Sequence, residues 1–150
     1  MAGVVAQVGA MVRDMLRGAA AELAAVGVGC PGQVVNGVVK GAANFPWVDA
    51  PLRDALQEEL GVPVELMNDA NAAVAAEMWA EGESGDQSAA LLTLGSGIGL
   101  GLILDGKVHQ GSHGLVEGGH MVLELDGREC PCGQRGCAEA YASATATAAR

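Results

Sequence analysis

Four side chains near the C-terminal end of the sequence form the most specific chemical signal in the chain. Three cysteines lie in the run Cys130-Pro131-Cys132-Gly133-Gln134-Arg135-Gly136-Cys137, and His120 precedes them. Three thiolates and one imidazole are a complete ligand set for a structural zinc ion, and the intervening Pro and Gly residues allow turns that bring the sulfur atoms together. A disulfide or free buried thiols are the alternatives, and the absence of an export signal favours zinc over both. The sequence therefore predicts zinc bound by His120, Cys130, Cys132 and Cys137, with Cys30 a buried core residue.

A second candidate is Asn68-Asp69-Ala70-Asn71, at the junction between a predicted strand and a predicted helix. An aspartate at such a junction can accept a proton from a substrate hydroxyl, while Asn68 hydrogen-bonds neighbouring polar groups. The same aspartate can simply cap the helix. On this motif alone the cap is the favoured interpretation.

A third candidate is the glycine turn Leu94-Gly95-Ser96-Gly97-Ile98-Gly99. Its exposed amides and the Ser96 hydroxyl can bind phosphate oxygens, although a tight hairpin needs glycine in any case. The order strand, turn, strand differs from that of a Walker loop. Glu117 and Glu139 lie on either side of the zinc ligands, where they either contact a polyhydroxylated ligand or are solvated surface carboxylates.

Hydrophobic spacing predicts an α/β protein that positions these groups. Asp49 is expected to cap the second helix, and Gly61 to end it. The polar segment 82–87 is a candidate hinge or domain boundary. The predicted helices cover 4–25, 52–60, 70–80 and a segment from about 138. The predicted strands cover 26–32, where the run ends in Pro31-Gly32, then 34–39 in two parts about Asn36-Gly37, 63–67, 89–94, 100–104 and 120–125.

Composition excludes several classes of function. The 150 residues are 50% hydrophobic and carry a formal net charge of -10, with the few basic residues scattered, so we expect no nucleic-acid partner. The longest apolar stretch, 89–104, falls short of the ~20 residues that span a bilayer, so we expect no membrane partner. No basic residue precedes Arg13, so the sequence predicts no signal peptide and a cytoplasmic protein.

Taken together and in order, these motifs resemble the signature of the ROK family of sugar kinases and sugar-responsive regulators. The resemblance rests on six ordered elements across most of the chain, and any one of them alone would be weak. They are Gly29-Cys30-Pro31-Gly32, Asn44 ahead of Trp47, Asn68 to Asn71, Leu94 to Gly99, Glu117 to His120, and Cys130 to Glu139.

The resemblance implies an actin-like, ribonuclease-H-like two-lobed ATPase fold, incomplete at both ends. Residues 1–84 would form part of the N-terminal lobe, without its first phosphate-loop hairpin, and 85–150 the start of the C-terminal lobe with the zinc knuckle. The substrates would be a hexose and ATP with Mg²⁺, beside structural Zn²⁺, in a protein that is a homo-oligomer when full length. Asp69 would be the catalytic base. By the same resemblance, the sugar would contact Asn44, Asn68, Asp69, Glu117, His120 and Glu139, and the nucleotide phosphates would contact Gly95, Ser96, Gly97 and Gly99.

Other functions remain open at this point. The sequence is also similar to N-acetylmannosamine and N-acetylglucosamine kinases of the family, and it does not separate these sugars. A sugar-sensing transcriptional regulator domain and a catalytically inactive fragment are the alternatives of another class. Three positions depart from the family pattern, namely Ser96 for Thr, Leu100 for Gly, and Gly118 for Ile or Leu. We expect Leu100 to crowd the glycine turn and Gly118 to remove an apolar anchor beneath Glu117 and His120.

Overall fold

A computed structural model describes residues 1–42, 45–82 and 87–149. The chain divides into two units, Met1–Asp69 and Ala70–Arg150. Asn44 and the predicted lobe boundary between residues 84 and 85 lie outside the described residues, as does most of the predicted hinge. The assignment of 1–84 and 85–150 to two lobes therefore stays a prediction.

The first unit begins with helix α1 (Ala2–Leu16), and the prediction that this helix continues to residue 25 is wrong. Arg17 is already extended, with ψ of 112°, and Gly18 has φ of +82°. A glycine in the left-handed region is a common helix terminator. The helical spacing of apolar residues continues beyond this point, but the backbone does not.

Four strands follow helix α1. They are β1 (Val26–Cys30), β2 (Gln33–Val35), β3 (Val38–Ala42) and β4 (Phe45–Ala50), and β2, β3 and β4 form an antiparallel sheet. The predicted turn at Asn36-Gly37 is confirmed, with φ of 52° and 82° at these residues. Strand β4 was not expected. Because Asp49 belongs to β4, the prediction that it caps the next helix is wrong, and Pro51 occupies the N-cap instead.

Helix α2 (Leu52–Leu60) leads through Gly61 to strand β5 (Val64–Asn68). Gly61 has φ of 70° and ends the helix, as predicted. Strand β5 pairs in parallel with β1, from Val26 opposite Val64 to Cys30 opposite Asn68. The core beneath these elements is largely aliphatic, and its main members are Val5, Val34, Val39, Trp47, Leu52, Leu56, Val64 and Leu66.

Helix α3 (Asp69–Ala80) starts at the last residue of the first unit and otherwise belongs to the second. Strands β6 (Ala89–Leu94), β7 (Ile98–Leu104) and β8 (Lys107–Val108) form an antiparallel sheet, which confirms the two predicted hairpins. Helix α3 approaches β7 closely, because a Cβ added at Gly101 would collide with the Ala70 backbone and lie 2.8 Å from Val74 Cγ1. Glycine at this position lets the helix backbone contact the strand directly.

The predicted strand over 120–125 is wrong. A 3₁₀ turn covers Gly118–His120, and Val122 makes only a single bridge to Cys137. The Leu123 amide donates to the Gly136 carbonyl and the Ala138 amide to the Met121 carbonyl, so these backbone groups bond to the cysteine segment instead of a neighbouring strand. The helix predicted from about 138 is present as α4 (Glu139–Ala142) and α5 (Ala144–Ala148). Of the helices described, none combines the length and apolarity needed to cross a membrane.

The contact between α3 and β7 gives a first test. Gly101→Ala should lower the free energy of unfolding by about 1–3 kcal/mol, because the new methyl group overlaps helix backbone that cannot rotate away. Gly27→Ala is the matched control, since a Cβ there meets nothing within 4 Å. Urea denaturation measures both variants. Equal stability of the two would contradict the close approach.

Candidate functional site

The candidate base lies at the carboxyl edge of the parallel strand pair. Parallel pairing places Cys30 opposite Asn68, so the turn after β1 and the start of α3 meet at the same edge of the first unit. The Asn68 side chain is buried, and its Nδ2 donates to the Gly32 carbonyl at 3.1 Å. Asp69 follows directly and is exposed. The parallel pairing of β1 and β5 thus places the solvent-exposed Asp69 carboxylate beside the turn that contains Gly32.

Gly32 shapes this edge. Its φ is +87°, and an added Cβ would collide with the Gly41 carbonyl and lie 2.7 Å from Ala42 Cα. Any other residue would be strained in both respects. Cys30 is buried as predicted, and burial, with the charge of Asp69, raises the pKa of its thiol. Cys30 is therefore a neutral core residue under Asp69 and not a nucleophile at neutral pH.

In the second unit, the four predicted zinc ligands converge. Their ligand atoms all lie within 4.8 Å of one another, with 3.8 Å between the sulfurs of Cys132 and Cys137 and 3.7 Å between Cys130 Sγ and His120 Nδ1. Tetrahedral zinc with Zn–S bonds of about 2.3 Å places ligand atoms ~3.8 Å apart. A disulfide would require ~2.05 Å. The donor set and its spacing therefore fit a structural zinc ion.

Among the four predicted zinc ligands, the thiols of Cys132 and Cys137 have shifted pKa values in the metal-free chain. Burial, together with hydrogen bonds and charge from Cys132 and Cys130, raises the pKa of Cys137 to about 12. A hydrogen bond from the Gln134 backbone is the main cause that lowers the pKa of Cys132. Because zinc binds thiolates, Cys137 must lose a proton on metal binding.

Tyr141 holds the segment that precedes the cysteines, a role that the sequence analysis did not predict. Its hydroxyl donates to Glu124 Oε2 at 2.6 Å and accepts from the Arg128 amide at 2.8 Å. The Arg128 guanidinium lies 4.9 Å from the centre of the Tyr141 ring. Tyr141 thereby ties helix α4 to the segment that precedes the cysteines. Its status as the single tyrosine of the chain is a weak signal for such a role.

His120 presents its two ring nitrogens to different groups. Nδ1 faces the Cys130 sulfur, whereas Nε2 lies 4.0 Å from Glu117 Oε2. A neutral imidazole that binds metal through Nδ1 carries its proton on Nε2. Glu117 is exposed, and the His120 side chain is 30% exposed. The structure therefore places Nε2 of His120 near the Glu117 carboxylate, and metal binding through Nδ1 would make Nε2 an N–H donor there.

The glycine turn is held by Glu139. The Ile98 amide donates to Glu139 Oε2 at 2.8 Å, and a Cβ at Gly97 would collide with the same carboxylate. The turn is also fixed by hydrogen bonds from the Gly95 amide to the Gly97 carbonyl and from the Ala144 amide to the Gly95 carbonyl. Within the part of the chain that the structure describes, the amides of Ser96 and Gly97 have no protein partner. These amides could hold phosphate oxygens.

Comparison with known proteins agrees with these motifs. The model of the ROK family matches residues 2–150. The chain is 46% identical over 125 residues to a glucokinase from Thermotoga maritima, which covers 81% of this chain and 39% of that protein. It is 38% identical over 122 residues to a xylose repressor from Caldicellulosiruptor bescii, which covers 79% of this chain and 30% of the repressor. The chain thus spans about two fifths or less of the length of these relatives.

One solved structure is similar over nearly the whole chain. It is a ROK family glucokinase from Streptomyces griseus in complex with glucose and AMPPNP, with a TM-score of 0.78 and 36% identity over 96% of this chain and 46% of that chain. This similarity confirms the α/β, actin-like ATPase fold predicted from the motifs.

The metal cluster gives a second test. The purified chain should contain one zinc ion, and Cys137→Ser should lose it, because a hydroxyl is a poor replacement for a thiolate. Cys30→Ala, which removes the thiol outside the cluster, should keep the metal. Zinc is measured by elemental analysis of folded protein. Metal-free wild-type protein with native circular dichroism would contradict the assignment.

The pKa of Cys137 gives a third test. Because burial raises the pKa of this thiol to about 12 in the metal-free chain, the thiol is protonated near neutral pH and zinc must displace its proton. Zinc affinity should therefore fall at least about tenfold for each unit by which pH is lowered from 7.5. Competition with a chromophoric chelator at pH 7.5 and 6.5 measures the change. An affinity that does not depend on pH would contradict thiolate ligation by Cys137.

Proposed function

Because the chain belongs to the ROK family, we propose that the protein carrying it transfers the γ-phosphoryl group of ATP to a hydroxyl of a hexose. The observation that carries the proposal is the exposed Asp69 at the carboxyl edge of β1 and β5, beside a glycine turn that admits no side chain. Similarity to glucokinases, one of them in complex with glucose and AMPPNP, supports the same reaction.

Asp69 would act as general base. Its carboxylate would accept the proton of the hexose hydroxyl as the hydroxyl oxygen attacks the γ-phosphorus in line, and ADP would leave. Phosphoryl transfer of this kind is mainly positioning and charge stabilisation, so the base chiefly orients the nucleophile. The hydrogen bond from Asn68 to the Gly32 carbonyl would fix the backbone from which Asp69 projects.

Glu117 and His120 would hold sugar hydroxyls in complementary ways. A hydroxyl can accept from the Nε2 proton of His120 and donate to the Glu117 carboxylate, and the two groups lie 4.0 Å apart. Glu139 would serve the sugar with its remaining oxygen, since Oε2 accepts from the Ile98 amide. Roles for Asn44 and Asn68 in sugar binding stay predictions.

Zinc would be structural in this protein. Held by His120, Cys130, Cys132 and Cys137, it would supply a fixed cross-link and set the His120 tautomer. With three thiolates and one imidazole the ligand set is complete, so the metal would have no open position for substrate.

The glycine turn would contact the nucleotide. The amides of Ser96 and Gly97 and the Ser96 hydroxyl would donate to phosphate oxygens, and ATP would enter as its Mg²⁺ complex, which reduces the charge on the phosphates. Glu139 supports this role because its hydrogen bond with the Ile98 amide stabilises the shape of the turn.

A sugar-responsive regulator is the second candidate, and similarity to the xylose repressor favours it. Higher identity to glucokinases and the net charge of -10 favour the kinase. A regulator would bind sugar without forming ADP, so a single assay separates the two. N-acetylhexosamine as substrate, a cytoplasmic location and homo-oligomerisation remain predictions.

Asp69→Asn tests the base. It should lower kcat by about 10²–10⁴-fold, because asparagine cannot take up the proton. Helix α3 should start normally, because Asn and Asp are equally good at helix N-termini. Sugar-dependent ADP formation by the longest product of the gene measures kcat, and isothermal titration measures retained sugar binding.

Asp105→Asn is the matched control. Asp105 is exposed in the hairpin between β7 and β8, with φ of 49°, which asparagine tolerates. This variant should keep wild-type turnover. Near-normal turnover of Asp69→Asn would show that Asp69 is only part of the helix start.

A further inference from the structure

The 3₁₀ turn that carries Glu117 and His120 packs against the Leu100 side chain at Gly118. A Cβ built on Gly118 would lie 2.5 Å from Leu100 Cδ2, 2.8 Å from Leu100 Cβ and 3.2 Å from Leu100 Cγ. The backbone at Gly118 does not require glycine, because its φ lies outside the left-handed region. Glycine is needed at position 118 because Leu100 already fills the space.

The backbone around this contact is fixed on both sides. Leu100 bridges to Val116 in antiparallel fashion, and a Cβ at Gly119 would collide with the Ile98 carbonyl. The turn itself closes through the His120 amide to the Glu117 carbonyl at 3.1 Å. The turn thus lies along the start of β7, where Gly119 packs against Ile98 and Gly118 against the Leu100 side chain.

We propose that Leu100 is a positioning residue that sets the Glu117–His120 turn through Gly118, so that the size of residue 100 and the size of residue 118 are coupled. Leu100 touches neither sugar nor metal in this proposal. Leu100 determines where Glu117 Oε2 and the two nitrogens of His120 lie. Glycine at 118 has no side chain to anchor the turn, and Leu100 in strand β7 supplies that apolar contact instead. The role in sugar binding rests on the proposed kinase function, whereas the role in metal binding does not.

The contact between Leu100 and Gly118 predicts that substitutions at the two positions have non-additive effects. A larger residue at 118 overpacks the site, and a smaller residue at 100 leaves a void, so each change alone should displace the turn. Made together they should compensate, because total volume is conserved. Such non-additivity is the signature of two residues that share one space.

A double-mutant cycle tests the coupling. Gly118→Leu should raise the KM for sugar at least about tenfold and weaken zinc binding, with kcat changed less than about threefold, because the turn is displaced while Asp69 is untouched. Leu100→Ala should raise KM about threefold. The double variant should return both KM and zinc affinity to within about threefold of wild type.

Leu104→Ala is the control for loss of a leucine from the same strand, since Leu104 ends β7, is 44% exposed and is not paired with Leu100. It should leave KM and zinc affinity unchanged. The proposal is overturned if the double variant is no better than Gly118→Leu, or if Leu104→Ala acts like Leu100→Ala. Should the wild type form no ADP, the zinc competition cycle still tests the coupling, and only the kinase function fails.

Discussion

The convergence of His120 with three thiols is the constraint on which the segment between the 3₁₀ turn and α4 depends. Between the 3₁₀ turn and α4, the described chain contains only isolated bridges, and Met121, Leu123 and Leu125 are exposed. Such a segment buries too little apolar surface to order itself. A structural zinc site contributes about 10–16 kcal/mol in small peptides, enough to order a segment of this kind. Metal ligation would therefore set the position of everything attached to the segment.

Two residues with proposed roles in substrate binding, His120 and Glu139, lie at the two ends of this segment. At one end, His120 Nδ1 faces the Cys130 sulfur and Nε2 faces Glu117, an orientation that metal ligation through Nδ1 would fix. At the other end, Cys137 leads directly into α4, whose first residue, Glu139, accepts from the Ile98 amide and fills the space beside Gly97. The Glu139 carboxylate thus connects the segment that follows His120 to the glycine turn proposed to bind phosphate. Loss of the metal would disturb both.

Sequence reasoning found the elements with strong local signals. The Asn36-Gly37 turn, the stop at Gly61 and the hairpins around the glycine turn follow from backbone chemistry that single residues reveal. The cysteine spacing, with His120, predicted which four side chains converge.

It failed where tertiary contacts decide the outcome. The Leu123 amide bonds to the Gly136 carbonyl and the Ala138 amide to the Met121 carbonyl, where a strand was predicted. Asp49 lies in an unexpected strand. Gly118 has no side chain because Leu100, far away in sequence, occupies the space.

The most direct measurement is ADP formation from ATP by the longest product of the gene, with glucose, N-acetylmannosamine and N-acetylglucosamine offered in turn. The account predicts ADP formation that depends on one of these sugars, whereas zinc-loaded, folded protein that binds sugar and forms no ADP would contradict it.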